Sequence, residues 1–261
     1  MRLIITLLLV LFLLVIGGTP GPVMTRAPAP SQAMDPPPQL MQVSAYREVG
    51  NVTEMMSPPR AAGKGTKGTA FYVDIDTHKV VVAPYHLLAL LRPSGGPAQV
   101  YLAGCAPLQD GMPCIQWSEE TQVLGADPAE DVLFLAAPPE LRNTPALRLA
   151  GNVSMGSRLH GSGYADGKTS LKEFSGDLAF SGSVTEMTDE TGLPWRWSAR
   201  QVYWLRGEGV EPGDSGSPAL TTGGLVAGEV VAAGGPWIVV IPATAIRQAW
   251  LERTSTSSLM S

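Results

Sequence analysis

Apolar residues in this chain fall in short runs broken by glycine, proline and acids, and the spacing inside those runs predicts strands far more often than helices. Phe71, Val73 and Ile75 alternate with Tyr72, Asp74 and Asp76, the period of two that half-buries a strand. Val80-Val81-Val82-Ala83 is a β-branched run too short for a helix of its own, and it delivers Pro84-Tyr85-His86 at its end. Between these runs Asp76-Thr77-His78-Lys79 reads as an exposed hairpin turn. Asp131 opens a further run, Val132-Leu133-Phe134-Leu135, that is apolar throughout. Helical spacing is confined to the C-terminal segment Thr244 to Glu252, where Ile246, Ala249 and Trp250 recur at three and four residues and give one packing face.

Composition fits that pattern. A chain of 261 residues with 29 glycines and 23 prolines suits one all-β unit with a sizeable core rather than several domains. At the amino terminus, Arg2 precedes a run from Leu3 to Ile16 that is apolar except for Thr6, shorter than the roughly 20 residues a membrane span needs. Residues 1–18 are therefore a signal peptide or an uncleaved anchor, and prolines at the candidate cleavage positions leave both open. Either way the rest of the chain is expected outside the cytoplasm, secreted or membrane-anchored, because Arg2 favours the inside. Residues 19–60, with Pro28, Pro30 and Pro36-Pro37-Pro38, read as an extended linker or propeptide, within which Leu40 to Met56 can contribute a first strand. Residues 61–253 are the expected folded domain, and 254–261 a tail.

Charge and cysteines narrow the function classes. A net charge of −5, with no basic cluster beyond Arg60, Lys64 and Lys67, argues against nucleic acid as a partner. Cys105 and Cys114 flank a turn-rich loop, and in an exported chain a structural disulfide between them is expected. Two cysteines without a nearby histidine make no zinc site, so neither metal nor other cofactor is expected.

The candidate chemistry lies in Gly213-Asp214-Ser215-Gly216-Ser217-Pro218. A serine hydroxyl needs a base to take its proton and donors to receive an oxyanion. Glycine at 213 tolerates dihedrals that turn the amides of Gly213 and Ser215 toward one point. Of the three histidines, His78 belongs to a turn, His160 precedes Gly161-Ser162-Gly163-Tyr164, and His86 ends a strand. The acids Asp127, Glu130 and Asp131 share one polar turn and are nearly equal candidates for orienting the base. No histidine follows Ser215 and position 217 is serine, which excludes an α/β-hydrolase; a subtilisin-type serine turn and a Ser-x-x-Lys frame are also missing.

These segments resemble the chymotrypsin/trypsin-like serine proteases, in particular bacterial trypsin-like and HtrA-type protease domains without a PDZ module. Gly213 to Pro218 resembles the nucleophile loop, Gly68-Thr69-Ala70-Phe71-Tyr72-Val73 the family's Gly-Thr/Ser-Gly-Phe-x-Val strand, and Pro84-Tyr85-His86-Leu87 a relaxed form of its histidine context. Asp131-Val132-Leu133-Phe134-Leu135 is similar to the family's acid-bearing segment, and Ile241-Pro242 leads into a terminal helix as in the HtrA type. The resemblance runs from near Ala61 to near Arg253. It implies two six-stranded antiparallel β-barrels with a short C-terminal helix, preceded here by an N-terminal hydrophobic helix and a proline-rich linker. It also implies a serine endopeptidase with His86, Asp131 and Ser215 as triad, Gly213 and Ser215 as oxyanion hole, and a polypeptide substrate.

The substrate pocket is implied at Gly209 and Val210, just before the nucleophile, and at Ala233 and Gly234 on its wall. None of the four carries charge, so a small or apolar residue before the scissile bond is expected. The chain departs from the animal digestive enzymes in lacking their new amino terminus, so Asp214 must be anchored otherwise, and it has no counterpart to their wall serine. A monomer is expected, tethered to a membrane through residues 3–16 if the leader is retained. The alternative is a catalytically inactive barrel serving as an extracytoplasmic binding module.

Overall fold

The computed structural model of the protein describes residues 39–47, 66–89, 98–106, 115–164, 171–184 and 199–253. The apolar run 3–16, residues 1–38 as a whole, Cys114 and the tail lie outside them.

The first half is a sheet of β1 (Leu40–Arg47), β2 (Thr66–Ile75), β3 (His78–Pro84), β4 (Ala98–Ala106), β5 (Ile115–Thr121), β6 (Val123–Asp127) and β7 (Val132–Ala136). The strand order is β5-β4-β1-β2-β3-β7-β6, with β8 (Leu147–Arg148) added parallel to β2. A one-turn helix, α1 (His86–Ala89), follows β3. The β2–β3 turn is tighter than Asp76 to Lys79: Asp76 and Thr77 take φ of 48° and 74°, the left-handed pair of a two-residue hairpin. His78 and Lys79 therefore begin β3, both exposed.

The second half is a closed barrel, β10-β11-β14-β13-β12-β9, built from β9 (Arg158–Gly163), β10 (Lys172–Val184), β11 (Ala199–Glu208), β12 (Pro218–Leu220), β13 (Val226–Gly234) and β14 (Trp237–Pro242). The helix α2 (Ala243–Glu252) ends the domain. Among the described residues a closed six-stranded barrel is present once, and the strands of the first half form a half-barrel sheet that follows an open path. Part of the difference is β1, which lies inside the proline-rich 19–60 stretch and inserts between β2 and β4. Leu40, Met41 and Val43 are buried there, in the strand expected within Leu40 to Met56.

The runs that are apolar throughout now have a cause. Val81, Ala83, Leu133 and Leu135 fill the inside of the first sheet, while their neighbours Val80, Val82, Val132 and Phe134 point the other way into a second cluster. That cluster is a seam between the halves, completed by Val202, Val231, Val239 and Ile241 of the barrel. Strands buried on both faces lose alternation. The barrel has its own interior of Leu159, Leu178, Leu205 and Val240. Ile246, Ala249 and Trp250 press α2 onto the seam, with Trp250 edge-on to Phe134 at 5.1 Å between ring centroids. The candidate residues lie along this seam.

Candidate active site

The first half carries His86 and Asp131, the candidate base and its candidate acid. The turn before β7 is organised by Asp127, whose Oδ1 accepts the amides of Ala129 (3.0 Å) and Glu130 (3.3 Å). It delivers Asp131 in a left-handed conformation, φ 56°, with its side chain 1 % exposed. Such a conformation is strained for a non-glycine residue and persists only when its surroundings hold it. Here three contacts to one segment hold it: the Tyr85 amide donates to the Asp131 carbonyl (3.0 Å), the His86 amide donates to Oδ1 (2.7 Å), and His86 Nδ1 lies 2.8 Å from Oδ2. The competing acids are engaged elsewhere. Glu130 is paired with Arg200 of β11 at 2.9 Å, and Arg200 also reaches Glu252 of α2 at 3.2 Å and Asp127 at 3.8 Å. Burial raises the Glu130 carboxyl, an effect the Arg200 guanidinium partly offsets. Asp131 is thus the acid of the three brought to His86.

The second half carries Gly213 to Pro218, the candidate nucleophile loop. Glu211-Pro212-Gly213-Asp214 closes a turn in which the Asp214 amide donates to the Glu211 carbonyl at 3.0 Å. Proline at its second position and Gly213 at φ 95° are the signature of type II geometry. The buried Asp214 carboxylate, Oδ2, accepts the Glu211 amide at 2.8 Å, an anchor within the loop itself. Gly216, at φ 91°, donates to the Val230 carbonyl (2.7 Å), and the Val230 amide returns a bond to Ser217 O (2.8 Å), fastening the loop to β13. Ser215 Oγ donates to the Val231 carbonyl across a long 3.4 Å. Among the described residues the amides of Gly213 and Ser215 donate no hydrogen bond.

The halves meet at glycines. A Cβ on Gly68 would lie 2.8 Å from Ser215 O and 3.1 Å from Leu87 Cδ1, and one on Gly216 would lie 1.8 Å from Thr69 O and 2.6 Å from Pro84 Cδ. The nucleophile loop is therefore pressed against both Gly68-Thr69 and the Pro84–Leu87 segment that carries His86. The other histidines are elsewhere: His78 packs beside Trp250 with 5.5 Å between rings, and His160 is exposed on β9 opposite Ser175 and Leu220.

Of the implied pocket residues, Gly209 (φ 96°) is pressed against the β10 backbone, where a Cβ would meet Glu173 O at 2.8 Å. Val210 packs on the barrel interior. Ala233 and Gly234 are exposed at the end of β13, opposite Ile238 and Trp237. Cys105 lies on β4, and its expected partner Cys114 is outside the described residues. Among the described residues no cluster of histidine, cysteine and acid could hold a metal, and no helix is long and apolar enough to cross a membrane.

One residue of the site escaped sequence reasoning. Glu229 of β13 is fully buried between Pro218 and Ile241 on the neighbouring strands, and neither carboxyl oxygen has a hydrogen-bond partner among the described residues. Burial, and then the charge of Asp131, push its carboxyl well above the usual range. The available signal was an acid inside the otherwise apolar Val226 to Val231.

No protein-family model matches the chain, and no curated protein matches it. Solved structures do. An inactive form of the Rv3671c protease of M. tuberculosis is 20% identical with a TM-score of 0.54, the match covering 87% of this chain and 94% of that one. Deg5 is 16% identical at 0.53, covering 82% and 88%. The HtrA-type protease AlgW with a decapeptide is 18% identical at 0.53, covering 83% and 65%. Identity this low speaks for architecture, and by it the chain has the fold of the trypsin-like serine proteases.

Proposed function

We propose that this chain is an exported serine endopeptidase. Ser215 Oγ attacks the peptide carbonyl carbon while its proton passes to Nε2 of His86, and Asp131 holds the Nδ1 proton and stabilises the imidazolium. The oxyanion is received by the amides of Gly213 and Ser215. Collapse of the adduct expels the amine, which takes the proton from His86 and leaves an acyl ester on Ser215. Water, deprotonated by His86, then attacks the ester carbonyl, and the second adduct collapses with the Ser215 oxygen leaving and taking the proton back from His86 as the acid is released. The ground-state bond from Ser215 Oγ to Val231 O is long, so turning the hydroxyl toward His86 forfeits little.

The observation that carries this reading is the double grip of Asp131 on His86, at 2.7 Å to the amide and 2.8 Å to the ring. A buried acid aligned on a histidine, beside a loop whose two amides are unspent, is what acyl transfer needs. The fold shared with Deg5 and with the HtrA-type protease AlgW supports the same class. Gly209, Val210, Ala233 and Gly234 bring no charge to the substrate, so the reading includes a small or apolar residue before the scissile bond. The export expectation rests on residues 1–18 and implies a Cys105–Cys114 disulfide, visible as a two-hydrogen mass difference on reduction.

A fluorophosphonate probe tests the reaction. The folded wild type is labelled on Ser215, labelling survives in Ser217→Ala, and it vanishes in Ser215→Ala. Absence of labelling in the folded wild type refutes the enzyme and leaves the inactive binding module. A cleavage profile dominated by Arg, Lys or Glu before the scissile bond refutes the pocket assignment alone.

A further inference from the structure

We infer that Thr69, on the first sheet, is a positioning residue for the oxyanion site on the second barrel; the inference rests on the serine protease reading above. Thr69 is fully buried on β2 and uses both its backbone and its side chain on the nucleophile loop. Its amide donates to the Ser215 carbonyl at 2.8 Å, and its hydroxyl donates to the Gly213 carbonyl at 3.1 Å. The hydroxyl also accepts the Tyr164 amide at 2.9 Å. A hydroxyl has one proton. With the Tyr164 amide occupying a lone pair, that proton is directed to Gly213 O.

The two carbonyls it holds belong to the peptide planes on either side of the one that carries the Ser215 amide. Fixing both planes fixes the plane between them, and holding Gly213 O also fixes the glycine end of the turn that presents the Gly213 amide. Thr69 is on the sheet whose strand β3 leads into His86, so these bonds set the oxyanion donors and Ser215 against the base, across the seam. A loop that begins and ends on β11 and β12 has no such reference of its own.

The surroundings are shaped around this hydroxyl. A Cβ on Gly163 would lie 3.0 Å from Thr69 Oγ1, 2.6 Å from Asp214 Oδ1 and 2.1 Å from Ser217 Oγ. Glycine at 163 leaves room for three oxygen-bearing side chains to converge under the loop. A buried threonine that merely satisfied its own hydroxyl would need one acceptor; this one joins residues 95 and 144 positions away in sequence.

Thr69→Val keeps the shape and the backbone amide and removes the hydroxyl. Losing a direct oxyanion donor costs about 10²–10³ in kcat. Because Thr69 acts through such donors, its removal is expected to lower kcat by about 10- to 100-fold, with KM changed less than about threefold and the pH profile set by His86 unmoved. Affinity for a peptide aldehyde, which adds Ser215 Oγ to its carbonyl carbon and places the resulting oxygen at the Gly213 and Ser215 amides, falls by the same factor as kcat/KM. Affinity for a non-covalent peptide that ends before the scissile residue, and so places no oxygen at those amides, stays. Thr69→Ser restores most of the loss. If Thr69→Val does not fold, Thr69→Cys, a weak donor of similar size, is compared with Thr69→Ser by the same aldehyde titration. A folded Val or Cys variant with wild-type kcat and aldehyde affinity, differing in melting temperature alone, overturns the inference. A wild type that fluorophosphonate does not label overturns the enzyme reading instead.

Discussion

The two halves build their parts of the site by different means. In the first sheet the His86–Asp131 unit is held by a side chain: one carboxylate, in a strained backbone conformation, accepts a ring nitrogen and a backbone amide of the same residue. In the barrel the nucleophile loop is held by its backbone: a glycine-bearing turn, two bonds to β13 and carbonyls lashed to Thr69. The difference follows from what each part must do in the proposed reaction. A base must keep one tautomer, which a carboxylate enforces. An oxyanion site must present bare amides, which only a backbone can offer, with its other groups already satisfied elsewhere.

Breaking the side-chain half gives the largest effect. In Asp131→Asn the His86 amide still needs an acceptor, so the amide oxygen takes the Oδ1 place and the NH2 group faces Nδ1. The ring then carries its proton on Nε2 and cannot accept one from Ser215. Loss of about 10⁴ in kcat is expected, the order of the same change in a Ser-His-Asp enzyme, with KM nearly unchanged. A variant within tenfold of wild type would remove Asp131 from the mechanism and return the question to Glu130 and Asp127.

Breaking the backbone half calls for Gly216→Ala. The new Cβ would sit 1.8 Å from Thr69 O, at a φ of 91° that alanine resists. The loop must move away from Thr69, with about 1–3 kcal/mol of destabilisation from the backbone alone. The loss in kcat is expected to be smaller than for Asp131→Asn, because the His86–Asp131 unit is left whole. Thermal unfolding and steady-state kinetics on the same preparation check both parts. An alanine variant of wild-type stability and rate would mean that the loop is not pinned.

What could be read from the sequence follows the same division. His86, Asp131 and Ser215 each stand at the end or start of a distinct local pattern, and the seam strands declare themselves by unbroken apolar runs. Thr69 and Gly163 were legible as parts of strands and not as supports of the loop, because bonds between residues 95 and 144 positions apart leave no periodicity. The anchor of Asp214 was missed for the opposite reason: it is three residues away, but nothing in the sequence of a turn says which amide a carboxylate will choose. β1, at Leu40–Arg47, falls inside the Leu40 to Met56 segment expected to give a first strand, whereas the open path of the first sheet depends on strand pairings that no single segment encodes.

Glu229 sits where the two halves touch and gives the smallest effect, one that shows in pH dependence. The charged group acting on it among the described residues is Asp131, and burial is the larger cause of its raised carboxyl. A carboxyl whose pKa is higher folded than unfolded binds more protons in the native state. Its favourable contribution is complete below the unfolded value near 4.5 and is lost as pH rises to the folded one. In Glu229→Gln the side chain keeps its size and is neutral at every pH, so the variant and the wild type should be nearly equally stable at pH 4. Above that the variant should gain on the wild type, by no more than about 1.4 kcal/mol per pH unit across the window, and the gain should level off once the native carboxyl ionises. Melting temperatures of both proteins from pH 4 to 9 read this directly. A constant difference would mean that Glu229 ionises alike in both states, and a difference of opposite sign would mean that a cation partners it; either would replace a seam that excludes a second charge beside Asp131 with one that tolerates it.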